Sequence, residues 1–122
     1  MAIIKINKNV IPIVFTDEVQ FQFQISDDNW DKLQELATEI LSFDEVIEGK
    51  ENSVEARKEL KELVDKSFRT LLGDEAPEQI YNLCGKFTSD YALAFIQTAT
   101  AIREEFESRN AEDNFKKYVA TK

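Results

Sequence analysis

Histidine is absent from the 122 residues. The side chain that most often serves as a general base near neutral pH, and as an imidazole metal ligand, is therefore missing. Most hydrolase and metalloenzyme chemistry goes with it. The three glycines, Gly49, Gly73 and Gly85, stand far apart, which leaves no glycine-rich loop to cradle a phosphate and no dinucleotide fingerprint. The one cysteine, Cys84, has no internal partner, so nothing in the cysteine content points to an oxidising compartment. No apolar run approaches the roughly 18 residues of a membrane span, and the N-terminal MAIIKINKNV has neither a long apolar core nor a small-residue cleavage site. The expectation is a soluble, cytosolic, unprocessed chain that spans no membrane.

Charge is plentiful and lopsided. The net charge is −9 and the pI about 4.5, which argues against nucleic acid and anionic membrane surfaces, since both select basic patches. Residues 27–62 hold 12 of the 24 acidic residues against five basic ones. Both ends are basic: residues 1–16 carry Lys5 and Lys8 with no acid, and residues 116–122 carry Lys116, Lys117 and Lys122 with none. Catalysis by carboxylates alone requires two acids whose surroundings push their pKa values apart. These acids fall on faces that read as solvated, so no catalytic pair, cofactor or enzyme activity is expected. Asp27, Asp28 and Asp31 do not make a cation site, because a calcium loop needs alternating ligands, a turn glycine and a closing glutamate; helix capping explains them better. Cys84, on the apolar side of a short helical stretch with Lys86 as its nearby cation, reads as a small core residue rather than a reactive thiol.

The spacing predicts an α+β fold, mostly α, with a short N-terminal β-hairpin or meander packed on a bundle of about four helices. A chain of this length is one domain, here residues 1–110, with 111–122 as a polar C-terminal tail read as a frayed helical extension. Residues 3–25 read as β structure: Ile3, Ile4 and Ile6, a turn at Asn7 to Asn9, then Val10 to Phe15, with Pro12 marking an edge strand or a bulge. The clearest strand follows, where Val19, Phe21, Phe23 and Ile25 alternate with Gln20, Gln22 and Gln24. Helices are expected over about 28–47, 53–72, 76–84 and 89–109. The first starts at Ser26, Asp27 or Asp28, and its stripe of Trp30, Leu33, Leu36, Ala37, Ile40, Leu41 and Ile47 should cover the sheet. Ser53 should cap the second, whose core stripe is Leu60, Leu63, Val64, Phe68, Leu71 and Leu72. Gly73 then stops that helix, Asp74 offers a carboxylate to the next, Pro77 sits in its first turn, and Gly85 ends it. Thr88 or Ser89 should cap the long last helix, with Tyr91, Phe95, Ala99, Ile102 and Phe106 on one side.

Aromatics beside hinges and strands are the expected contact surface, since aromatic side chains dominate protein interfaces. The candidates are Phe21, Phe23, Tyr81, Phe87 and Tyr91. Pairing at the edge of the Phe21 and Phe23 strand, or contact through the hinge aromatics, would also support self-assembly.

The stretch LLGDEAPEQIYNLCGKFTSDYALAFIQTATAIREEF, preceded by the hairpin IIKINKNVIPIVF and a charged helical pair, resembles the small acidic tail assembly chaperones of long-tailed phages and prophages of Gram-positive bacteria. The likeness covers most of the chain and lies in lengths and breakers: Leu72, Gly73, Asp74 and Glu75 at a first hinge, Gly85, Lys86, Phe87 and Thr88 at a second, then a long closing helix. The VQFQFQI strand departs from that pattern, in which related chains run more directly into a helix. The resemblance implies a non-enzymatic protein of the bacterial host cytoplasm, absent from the mature virion. Its partners would be the tape measure protein, whose hydrophobic helices it keeps soluble, and the tail tube protein. A longer form made by translational frameshifting is typical of the family and would make the tail after Asn110 a bridge. A different class, an acidic inhibitor that mimics DNA through the carboxylates of residues 27–62, is the alternative.

Overall fold

In the computed structural model, Ala2, residues 10–48 and residues 54–120 are described, with side chains described up to Phe43 and from Val54 to Ser108. The order is β1 (Val10–Val14), β2 (Gln20–Gln24), α1 (Asp27–Glu48), α2 (Val54–Leu72), α3 (Ala76–Leu83) and α4 (Thr88–Ala120). The architecture is α+β and mostly α, a two-stranded antiparallel hairpin with four helices. Ile3, Ile4, Ile6, the Asn7–Asn9 turn and the Ser53 cap lie outside the described residues.

The alternation in both strands sets the hairpin register. Ile11 faces Phe23 and Ile13 faces Phe21, which puts the apolar residues of both strands on one side, with Ile11, Ile13 and Phe23 buried and Gln20, Gln22 and Gln24 exposed. The bend between the strands is held by Thr16: its Oγ1 accepts the N–H of Val19 at 3.0 Å and of Glu18 at 3.3 Å. Pro12 pairs opposite Gln22 in a sheet that has two strands among the described residues, where each is an edge that tolerates a missing N–H.

A two-stranded hairpin is marginal in water by itself. It rests on α2 and α4, β2 approaching the first and β1 the second. Phe15, just past β1, stands 6.2 Å from Phe21 and 6.4 Å from Phe68 on α2. This corrects the expectation that α1 would cover the sheet. A stripe fixes which side of a helix is buried and leaves its neighbour open; α1 spends its stripe on the other helices. Leu33, Leu36, Ala37 and Ile40 are buried there. Trp30 packs on Phe106 at 4.5 Å, Arg103 Nη2 donates to Gln34 Oε1 at 2.6 Å, and Ile40 lines the same groove as Ala92 and Ile96. These pairs run in opposite directions along the chain, so α1 and α4 are antiparallel.

Capping departs from expectation at two helix starts. At α1 the Ser26 Oγ accepts the Asn29 N–H at 3.1 Å while its carbonyl accepts the Trp30 N–H at 2.9 Å, an N-cap of the expected kind. Asp74 does not cap α3; Glu75 holds that position without a side-chain bond, and Ala76 and Pro77 follow. At α4 the cap position belongs to Phe87, whose carbonyl accepts the Tyr91 N–H at 3.0 Å, rather than to Thr88 or Ser89. The reason lies in the turn before it. Gly85 (φ 65°) and Lys86 (φ 56°) are both left-handed, and the Gly85 N–H reaches Asn82 O at 3.1 Å while the Lys86 N–H reaches Tyr81 O at 3.0 Å. That is a Schellman stop, and it ends α3 and aims Phe87 before α4 begins. A Cβ at Gly85 would meet no atom within 4 Å, so Gly85→Ala carries only the left-handed strain, about 1 kcal/mol. Urea unfolding should show that loss; an unchanged midpoint would mean the turn is not held in the native state.

α4 continues to Ala120, past the expected end near Arg109. No glycine or proline follows Gly85, and Glu112 to Lys116 and Asp113 to Lys117 place opposite charges four apart, so the tail has local reasons to stay helical without an apolar stripe.

Candidate functional site

α2, α3 and α4 converge on a polar and aromatic knot. Tyr91 is fully buried, and its hydroxyl donates to Asp65 Oδ1 at 2.6 Å. Lys61, one turn before Asp65, donates to Oδ2 at 2.9 Å and lies 4.6 Å from the centre of the Tyr81 ring. The Tyr81 and Tyr91 rings meet edge to face at 5.0 Å, and Tyr91 stacks on Phe68 at 5.4 Å. Burial first, and then the bond to Asp65, hold the Tyr91 hydroxyl far above the ordinary phenol range. It is a structural donor. Every other described carboxylate is exposed; Asp65 is the half-buried one, and both its oxygens are occupied.

Outside this knot the surface opens into a pocket of ≈ 240 Å³ lined by Arg57, Lys58 and Lys61 of α2, Tyr81 of α3, Lys86 and Phe87 of the Schellman turn, and Thr88 and Ser89 of α4, with Val54 at its edge. Ser89 also borders an apolar groove of ≈ 110 Å³ between α1 and α4, formed by Ile40, Leu41, Ala92, Leu93 and Ile96. Pocket and groove thus share Ser89 in their linings. Four large apolar side chains line them while facing water, Val54 at 56% exposure, Phe87 at 55%, Leu93 at 53% and Leu41 at 50%.

The expected contact aromatics separate accordingly. Phe87 is exposed in the pocket and Tyr81 forms part of its wall. Phe21 is half-buried against Phe15, away from them. Phe23 and Tyr91 are interior, each at 0% exposure, and offer no contact surface in this fold: Phe23 is on the inward side of its strand, and Tyr91 is turned into the knot by Asp65. Arg57, Lys58 and Leu93 escaped the sequence reading. A signal for the first two was present, since Arg57, Lys58 and Lys61 stand three and four apart inside the most acidic segment.

Asp28 pairs with Lys32 at 2.9 Å, and among the described residues no group of three or more acids or cysteines could hold a metal ion. Burial, aided by the Asp90 carboxylate, pushes the Cys84 thiol up, the direction of a packed rather than a reactive cysteine. Among the described residues no helix is long and apolar enough to cross a membrane. No known family matches the chain, and neither a curated protein nor a solved structure matches it.

Proposed function

We propose that the chain is a non-enzymatic tail assembly chaperone, one that binds the hydrophobic helices of a tape measure protein in the host cytoplasm, helps to recruit tail tube subunits, and leaves before the virion is complete. The observation that carries this reading is that Leu41, Val54, Phe87 and Leu93, all half exposed or more, line a pocket and a groove that share Ser89. Contiguous apolar surface rimmed by polar groups is the usual mark of a docking site, and helix-in-groove recognition needs such a seam between two helices. The acidic exterior supports the same role, because net charge of one sign keeps a complex with an apolar client dispersed. The hinge pattern that resembles the chaperone family ends in the long α4 that forms one wall of the groove.

The test is co-expression with a tape measure protein from the same gene cluster, which the proposal requires. A soluble complex is the expected result. Leu93→Asp, at an exposed position where substitutions cost about 0.5 kcal/mol or less in stability, should release the client while the chain itself stays folded. Tape measure protein that stays insoluble with the chain present rules the reading out.

A further inference from the structure

The pocket beside the groove invites a ligand that the rest of the surface repels. Arg57, Lys58, Lys61 and Lys86 line it in a chain of net charge −9. Lys61 is neutralised by Asp65. Arg57, Lys58 and Lys86 have no carboxylate within salt-bridge distance among the described residues. The N-terminal turn of α4, a helix of 33 residues, adds Thr88 and Ser89 and the positive end of its dipole on the same wall. Phe87 offers an exposed apolar ring among these charges.

We infer that this end of the bundle docks an acidic amphipathic helix of a partner protein, its carboxylates in the Arg57, Lys58 and Lys86 pocket and its apolar stripe in the groove at Leu41, Leu93 and Ile96. This rests on the chaperone reading only for the identity of the client. Charge complementarity selects the occupant. The net charge of −9 opposes the long uniformly charged backbone of a nucleic acid, and a free phosphate would leave the adjoining groove unused. A surface of two parts suits a ligand of two parts. The groove alone would accept any apolar helix; the cations make the choice, since unlike charges fix partner and register more than they add affinity. The protein would hold the client segment at one end and in one direction.

Two measurements decide it. In the first, p-benzoylphenylalanine replaces the exposed Phe87 in the full chain, which is co-expressed with the tape measure protein, irradiated, and mapped by mass spectrometry. The cross-linked segment should carry an apolar stripe with carboxylates at one end; a formed complex that cross-links there only to basic or uncharged segments, or not at all, overturns the inference and leaves the chaperone reading standing. The second needs no client. A labelled peptide of about 18 residues, long enough to hold helix, with an apolar stripe and a run of aspartates at one end, is titrated with the full chain and compared with its asparagine counterpart. The aspartate peptide should bind about ten-fold more tightly, as expected from a few partly exposed ion pairs. That advantage should shrink between about 50 and about 300 mM salt and vanish in the doubly substituted Arg57→Glu, Lys86→Glu chain, whose circular dichroism should match the parent. Equal binding of the two peptides overturns the inference. A preference for aspartate without a tape measure complex keeps it and removes the chaperone reading.

Discussion

Phe68→Ala is expected to lower the free energy of unfolding by about 3–5 kcal/mol. Phe68 is fully buried where the hairpin, α2 and α4 meet. Phe15 reaches it edge-on at 6.4 Å, Tyr91 stacks on it at 5.4 Å, and Phe95 meets it edge-on at 5.2 Å. Truncation would remove the ring that all three share, and its neighbours come from the hairpin (Phe15) and from α4 (Tyr91 and Phe95), two packed elements that cannot both move inward to fill the space. Domains of this size are stable by only about 5–15 kcal/mol, so the variant should sit near the edge of folding at room temperature. Urea unfolding followed by circular dichroism would give the number, with a lower midpoint and an unchanged slope. Leu93→Ala, at a 53% exposed site, is the comparison and should move stability by about 0.5 kcal/mol or less. Equal losses for the two variants would mean that the aromatic cluster is not where the fold is held together.

Tyr91→Phe is the second large effect, and its signature is pH dependence. Removing the hydroxyl takes one charge-assisted hydrogen bond from Asp65, worth about 1.5–3 kcal/mol, while the ring keeps its packing on Phe68 and Tyr81. In the folded chain the phenol is held above its ordinary value of 10.0, first by burial and then by Asp65. A group raised in the folded state contributes its full stability below the unfolded value and loses it as pH climbs beyond that value. The parent chain should therefore be insensitive to this group below pH 10 and lose up to about 1.4 kcal/mol per pH unit from it above. Tyr91→Phe should be less stable at pH 7 and fall less steeply in alkali, so the two curves converge. Parallel curves above pH 10 would show that the hydroxyl is not buried against Asp65.

The elements themselves were legible from local pattern. Alternation over Val19 to Ile25 produced β2 with its glutamines outward, and spacings of three and four placed all four helices within a few residues, except at the C-terminal end of α4, which runs past Arg109 to Ala120. Glycine chemistry located both hinges, because a left-handed residue is a local demand that glycine meets without a Cβ. Where reading by residue type went astray, a backbone solution had displaced a side-chain one: Asp74, Thr88 and Ser89 are sound cap residues, but the left-handed pair Gly85 and Lys86 fixed the path into α4 and left Phe87 at the cap.

The candidate site was legible only in part. Phe87 and Tyr81 were singled out for standing near a hinge, and they do face the pocket. Tyr91 satisfied the same criterion and is interior, because proximity to a hinge says nothing about which way a ring points; Phe23, singled out for its edge strand, is interior too. The groove was out of reach for a similar reason. Leu41 and Leu93 each look like the edge of a core stripe, and their exposure depends on how closely α1 and α4 approach at that level.

By itself the amino-acid sequence determined the elements, the breakers between them, the side of each element turned from water, and the excess of acid on the exterior; all of these arise from interactions a few residues apart. Tertiary structure alone decided that the hairpin rests on α2 and α4, that Tyr91 finds Asp65 across 26 residues of chain, and that the cations of α2 join Lys86 beside an open apolar groove. An apolar stripe states that a surface must be covered and leaves open by what, and that choice is made only when all the stripes compete for one core.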